Sequence, residues 1–167
     1  MPRPYRRSDY DVTDTVQVSS PPAVREAVLD LYSRTWPGAP LATLSRALTD
    51  FERLFTGQEP GYLGVDTVYH DLQHSQDVVL PMVRLMAGYE LDPDGPRIGP
   101  ERALMGMVTA LFHDSGYIRE AGESAIPNGA VFTRNHVTRS AQYLAKYLPG
   151  AGLGQWVPVA TRIVHFT

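Results

Sequence analysis

The sequence predicts an all-α domain, and three observations carry that prediction. Apolar residues recur at helical spacing in segment after segment; Val24, Ala27, Val28, Leu31 and Tyr32, for example, fall at i, i+3, i+4, i+7 and i+8. Proline and glycine mostly sit between these segments, where they start or stop helices. Alternating apolar and polar runs joined by hairpin turns are missing.

Residues 1–20 are polar, with Val12, Val16 and Val18 too sparse for a strand, and read as an N-terminal arm. Pro21 and Pro22 open the first helix and Pro37-Gly38 ends it. Leu41, Leu44, Leu48, Phe51, Leu54 and Phe55 form the apolar stripe of a second helix, stopped near Gly57. After the loop GQEPGYLG, a cap at Asp66 or Thr67 begins a third helix carrying Val68, Leu72, Val79, Val83 and Met86. Pro81 lies inside that pattern and is expected to kink or break it. Pro100 opens a fourth helix with Leu104, Val108, Leu111 and Phe112 on one side, ended or loosened at Gly116. The polar stretch REAGESAIPNGAVF is long enough to suggest a functional loop. A fifth helix begins near Thr133, carries Val137, Ala141, Leu144 and Leu148, and closes at Pro149-Gly150. QWVPVATRIVHFT reads as the opening of another helix, inside which the chain stops.

At 167 residues and 43% hydrophobic composition, one domain over 21–167 is expected, with enough apolar material for a real core. A net charge of −3 argues against an extended nucleic-acid surface. No apolar run is long enough to span a membrane, and the basic N-terminus MPRPYRR is followed by no apolar signal region, so a cytoplasmic location is expected. The chain has no cysteine, which removes disulfides, zinc fingers, iron–sulfur clusters and thiol catalysis. A metal site must therefore use His, Asp and Glu, and the histidines are His70, His74, His113, His136 and His165. The amphipathic helices before residue 56 leave core packing and homodimer formation both open.

His70 and His74 in VYHDLQHSQDVV stand four residues apart, which on a helix puts both imidazoles on one side, a turn apart. Read alone, the pair is equally compatible with two half-exposed histidines on a solvated face. His113-Asp114 ends the apolar run ALFHDSGY. Neighbouring residues on a helix point about 100° apart, so both reach one ion only at a helix end or distortion, which Gly116 provides. A carboxylate at the edge of a buried stretch needs a cation or hydrogen-bond donors. The plainer alternative is a helix C-terminus where His113 meets the dipole. His136, in TRNHVTRSAQYL, falls in the first turn of the next helix.

The order His-x3-His, then His-Asp, then His, on separate helices, resembles the HD-domain superfamily of metal-dependent phosphohydrolases over roughly residues 66–145. YHDLQHSQDVV is similar to the YHNxxHAxDV motif of class I cyclic-nucleotide phosphodiesterases, LFHDSGY to the His-Asp signature, and NHVTRSA to the downstream helix. The resemblance implies an HD-like helical bundle with a metal site between helices. It makes His74, His113 and Asp114 ligands of one ion, Asp114 a bridge and His136 a ligand of a second, and His70 the general acid. Mn, Fe, Ni, Co, Zn or Mg would suit such ligands. The implied activity is hydrolysis of a small phosphorylated substrate such as a nucleotide.

One departure bears on that reading. The family closes its first site with a distal aspartate, yet no Asp or Glu follows Glu123. Either the chain is a shortened form of the fold or the site is incomplete, with His165 a weak substitute ligand. Two other outcomes therefore stay open: an inactive module that binds a ligand or partner, and a di-iron oxygenase resembling inositol oxygenase.

Overall fold

Six α-helices wrap one core in the computed structural model, which describes residues 9–167: α1 (Pro21–Thr35), α2 (Leu41–Phe55), α3 (Leu72–Leu91), α4 (Pro100–Phe112), α5 (His136–Gly150) and α6 (Val157–Val164). The described residues contain no strand, only isolated bridges between Tyr10 and Gln17 and between Tyr62 and Glu120. No helix among them is long and apolar enough to cross a membrane.

The bundle is organised around α4. The sequence puts an apolar stripe on one side of it, but every residue from Ala103 to Phe112 is buried. A helix apolar on all sides is stable only at the centre, and here α1 packs on α3, α3 and α2 on α4, and α5 on α6. An aromatic seam links α2, α4 and α5. Phe112 meets Phe51 edge-on at 6.0 Å and Tyr147 at 4.6 Å, and the Tyr147 hydroxyl donates to Asp50 at 2.9 Å.

α3 differs from the sequence expectation at its start. Asp71, not Asp66 or Thr67, is the N-cap: its extended backbone (φ −97°, ψ −179°) turns its carboxylate to accept the His74 N–H at 2.8 Å. Asp66 is occupied elsewhere, accepting from Arg119 at 2.9 Å and from the Gly129 N–H at 2.7 Å. Val68 is consequently not a helical core residue but fully exposed, and His70 lies in the loop before the helix. α3 also runs unbroken through Pro81. Pro81 faces solvent, where water can satisfy the carbonyl that its missing N–H leaves unpaired.

Of the polar arm, residues 1–8 lie outside the described residues. Residues 9–20 lie against α3. Asp11 accepts the backbone N–H groups of Thr13, Thr15 and Val16 and pairs with Arg84. Gln73 donates to the Val18 carbonyl, and Val18 is buried.

The polar stretch after α4 is ordered by Arg139 of α5. Its guanidinium donates to the carbonyls of Gly116 and Ile118, forms a two-pronged pair with Glu123 at 2.8 and 3.0 Å, and covers the Phe132 ring. Two short 3-10 turns, Ala121–Glu123 and Gly129–Arg134, form within that frame. The final helix does not run to the end of the chain: α6 closes at Val164, with His165 just beyond it.

Candidate metal centre

Four imidazoles converge on one carboxylate. Around Asp114 Oδ2 stand His70 Nδ1 at 2.8 Å, His113 Nε2 at 3.1 Å and His74 Nε2 at 3.5 Å, and His136 Nε2 lies 4.0 Å from Oδ1. Each residue arrives from a different place. His70 comes from the loop ahead of α3, His74 from its first turn, His113 caps the C-terminus of α4, and His136 opens α5.

Contrary to what their four-residue spacing predicts, His70 and His74 do not share a helical face, because the helix starts between them, but the loop returns His70 to the same point. For His113 and Asp114 the expected distortion is present. α4 stops at Phe112, and Asp114 leaves the helix with φ −105° and ψ 9° before a 3-10 turn, Ser115–Tyr117. Gly116 contributes by permitting close approach rather than by ending α4. A Cβ there would sit 2.0 Å from the His136 carbonyl oxygen, and its N–H donates to Ser140 of α5 at 2.8 Å. That contact brings the His-Asp corner against the start of α5, and with it His136.

Asp114 is 2% exposed. Burial raises its pKa, but hydrogen bonding and charge from His113, then from His70, outweigh it and bring the carboxyl to about 2. Burial likewise works against charge on His113, whose pKa is nevertheless raised by the Asp114 carboxylate and the Ala110 carbonyl. His113 Nδ1 donates to that carbonyl at 2.7 Å and His136 Nδ1 to Thr133 at 2.9 Å. With Nδ1 carrying the proton, Nε2 can present its lone pair to a cation, the usual outer support of a metal-binding imidazole.

The donor spacing fits an ion. Ligands about 2.0–2.2 Å from a common centre stand about 3.0 Å apart in an octahedron and about 3.4 Å in a tetrahedron. The contacts of Asp114 Oδ2 to three imidazoles span 2.8 to 3.5 Å. The ligand atoms of His70, His74 and Asp114 all lie within 4.8 Å of one another. This cluster can coordinate a divalent metal ion, and mixed imidazole and carboxylate donors suit first-row metals.

Tyr117 was not singled out by the sequence. Its buried ring stacks on His70 at 4.3 Å and 15° and on His136 at 4.4 Å and 19°, fixing the planes of both imidazoles. Its position three residues after Asp114 carries no periodic signal. His165 is not among the imidazoles around Asp114: it is exposed, and its Nδ1 donates to the Thr161 carbonyl of α6. Comparison of the chain with protein-family models, with curated proteins and with solved structures gives no match.

Proposed function

We propose that this protein is a metal-dependent phosphohydrolase acting on a small phosphoester. The observation that carries the reading is the buried Asp114 carboxylate with four imidazole nitrogens within 4.0 Å. The order of these residues along the chain, which resembles the HD-domain superfamily, supports it as well. In this reading His74, His113 and Asp114 hold one divalent ion, and Asp114 with His136 holds a second. Such ions supply Lewis acidity at phosphoryl oxygens and acidify water.

The protein's own groups then have definite tasks. Asp114 supplies the negative charge that gathers the site, and the Ala110 and Thr133 carbonyls hold His113 and His136 with Nε2 inward. His70 has the most exposed side chain of the four, at 31%, and so is the imidazole best placed to meet a substrate oxygen. Protonated, it delivers a proton to the departing alkoxide, a general-acid task. A second use of His70 is favoured by its 2.8 Å approach to Asp114, which puts it within ligand spacing of the same ion.

The test uses the full chain purified without chelator or histidine tag. Metal content is measured first, then turnover of p-nitrophenyl phosphate and bis(p-nitrophenyl) phosphate with Mn²⁺, Mg²⁺, Ni²⁺ or Fe²⁺. Metal-dependent release of nitrophenolate is expected. Bound metal with no turnover of any phosphoester would point to a binding module, and oxygen consumption with iron to an oxygenase; either result overturns the hydrolase reading.

A further inference from the structure

An apolar pocket of about 480 Å³ opens along the seam between α3 and α4, and His113 forms one end of it. Val78, Met82 and Met86 line it from α3 at four-residue intervals, continuing the spacing that starts at His74. Gly106, Thr109 and His113 line it from α4. The two helices place His74 and His113 together at this end, with ring centroids 5.7 Å apart. Further along, Met86 lies across Gly106, whose missing side chain makes room for it. Arg102 marks the far part of the pocket, three helical turns or about 16 Å from His113 along α4.

The chemistry of the lining is selective. Thioethers and aliphatic groups dominate, and methionine suits flexible apolar shapes. Both hydroxyls in the wall spend their protons on backbone carbonyls, Thr109 on Met105 and Thr167 on Val164, each at 2.8 Å. Between His113 and the Arg102 guanidinium at the far end, a nucleobase or ribose would lay several polar atoms against a wall with almost nothing to pair them, which is costly. An alkyl or aryl group would lose nothing there. The volume is that of an ordinary small-molecule site.

We infer that the pocket takes the apolar part of the substrate, which is therefore the phosphoester of an apolar alcohol rather than a nucleotide. The inference rests on the hydrolase reading above, with the phosphate at the Asp114 cluster and the tail running from His113 toward Arg102. In the reaction a water oxygen bonds to phosphorus and the P–O bond to the alcohol breaks. One water proton ends on the alcohol oxygen, and phosphate and the apolar alcohol are released.

Binding to the Mn²⁺-loaded full chain tests this apart from catalysis, with n-octylphosphonate, which has no P–O bond to an alcohol to break, in place of the ester. n-Octylphosphonate, inorganic phosphate, adenosine monophosphate and n-octanol are titrated calorimetrically against the wild type and Ile163→Trp. Ile163 is 41% exposed on the α6 side of the pocket, so the larger ring obstructs the pocket from its rim without entering the core. Octylphosphonate is expected to bind at least 10-fold tighter than each of the other three, and Ile163→Trp to remove that advantage while its melting temperature stays unchanged. Equal binding of octylphosphonate and adenosine monophosphate, or of octylphosphonate and octanol, overturns the inference, as does an advantage that survives in the variant. Selective octylphosphonate binding without turnover of any phosphoester would keep the pocket assignment and remove the hydrolase reading.

Discussion

His70 Nδ1 lies 2.8 Å from Oδ2 of Asp114, a residue 44 positions further along the chain. The contact joins the loop ahead of α3 to the corner that ends α4, and Asp114 is the carboxylate through which all four imidazoles are gathered. Asp114→Asn should therefore abolish metal binding rather than trim it. Loss of a supporting group alone costs about 10–100-fold in affinity, and loss of the carboxylate itself should exceed that in titrations with Mn²⁺ or Zn²⁺. The metal-free protein should change too. The Asp114 pKa is depressed from 3.8 to about 2, so its charge contributes stability above pH 3.8 that is lost as pH falls through 2. Acid unfolding of the wild type should carry this component, and that of the Asn variant should lack it.

Gly116→Ala tests whether the site depends on close packing rather than on ligands alone. The added methyl would meet the His136 carbonyl oxygen at 2.0 Å and the Ser140 nitrogen at 2.8 Å, both backbone atoms of α5, so the 3-10 turn must move off α5. Overpacking of this kind costs roughly 1–3 kcal/mol. Metal affinity should fall as well, because Asp114 and His136 are carried on the two surfaces being separated. A variant that melts earlier but binds metal as tightly as wild type would show that the α5 contact does not set the site.

The sequence made some of this legible and hid the rest for physical reasons. His113-Asp114 stood out because an apolar run ended in a carboxylate, and burial makes such a residue need partners. The helices of the bundle were visible in their periodicity because each buries a stripe; α4 buries its whole surface, which only neighbouring helices reveal. The start of α3 was ambiguous because Asp66, Thr67 and Asp71 can all cap a helix. The choice is made by contacts remote in sequence, Asp66 being claimed by Arg119 and the Gly129 N–H, 53 and 63 positions away. Tyr117 was hidden for the same reason: it stacks on His136 only because Gly116 lets α5 come close. The apolar pocket has no sequence signature, since Met82 and Met86 read equally well as core.

Glu123→Gln should loosen the frame that Arg139 builds around the His113-Asp114 corner. The hydrogen bond from Arg139 lowers the Glu123 pKa from its usual 4.5, against partial burial. A depressed carboxyl contributes stability above pH 4.5 that disappears as pH falls through the lowered value. The variant should thus melt about 1–3 °C below wild type at pH 7, in keeping with a single part-buried pair near the surface. As pH falls below that lowered value the difference should shrink toward zero. A gap that is constant across this range would mean that the pair's charge contributes nothing and that Glu123 acts by shape alone.

Replacing His74 and His70 separates holding a metal from using it. His74 is fixed on two sides, its backbone N–H bound to Asp71 and its Nε2 3.5 Å from Asp114, and it lies on a regular helix. His74→Ala removes a nitrogen from a site with few donors, so metal and turnover should be lost together. His70 sits on a loop, stacked on Tyr117 and more open to solvent. As a proton donor, its replacement by Gln should leave most of the metal bound while turnover falls about 10²–10⁴-fold. The loss should be smaller for nitrophenyl esters, whose leaving groups depart without a proton, than for alkyl esters. Metal content and turnover on both ester types distinguish the outcomes directly. If His70→Gln strips the metal as completely as His74→Ala, then the 2.8 Å approach to Asp114 marks a ligand and the proton must come from elsewhere, water included.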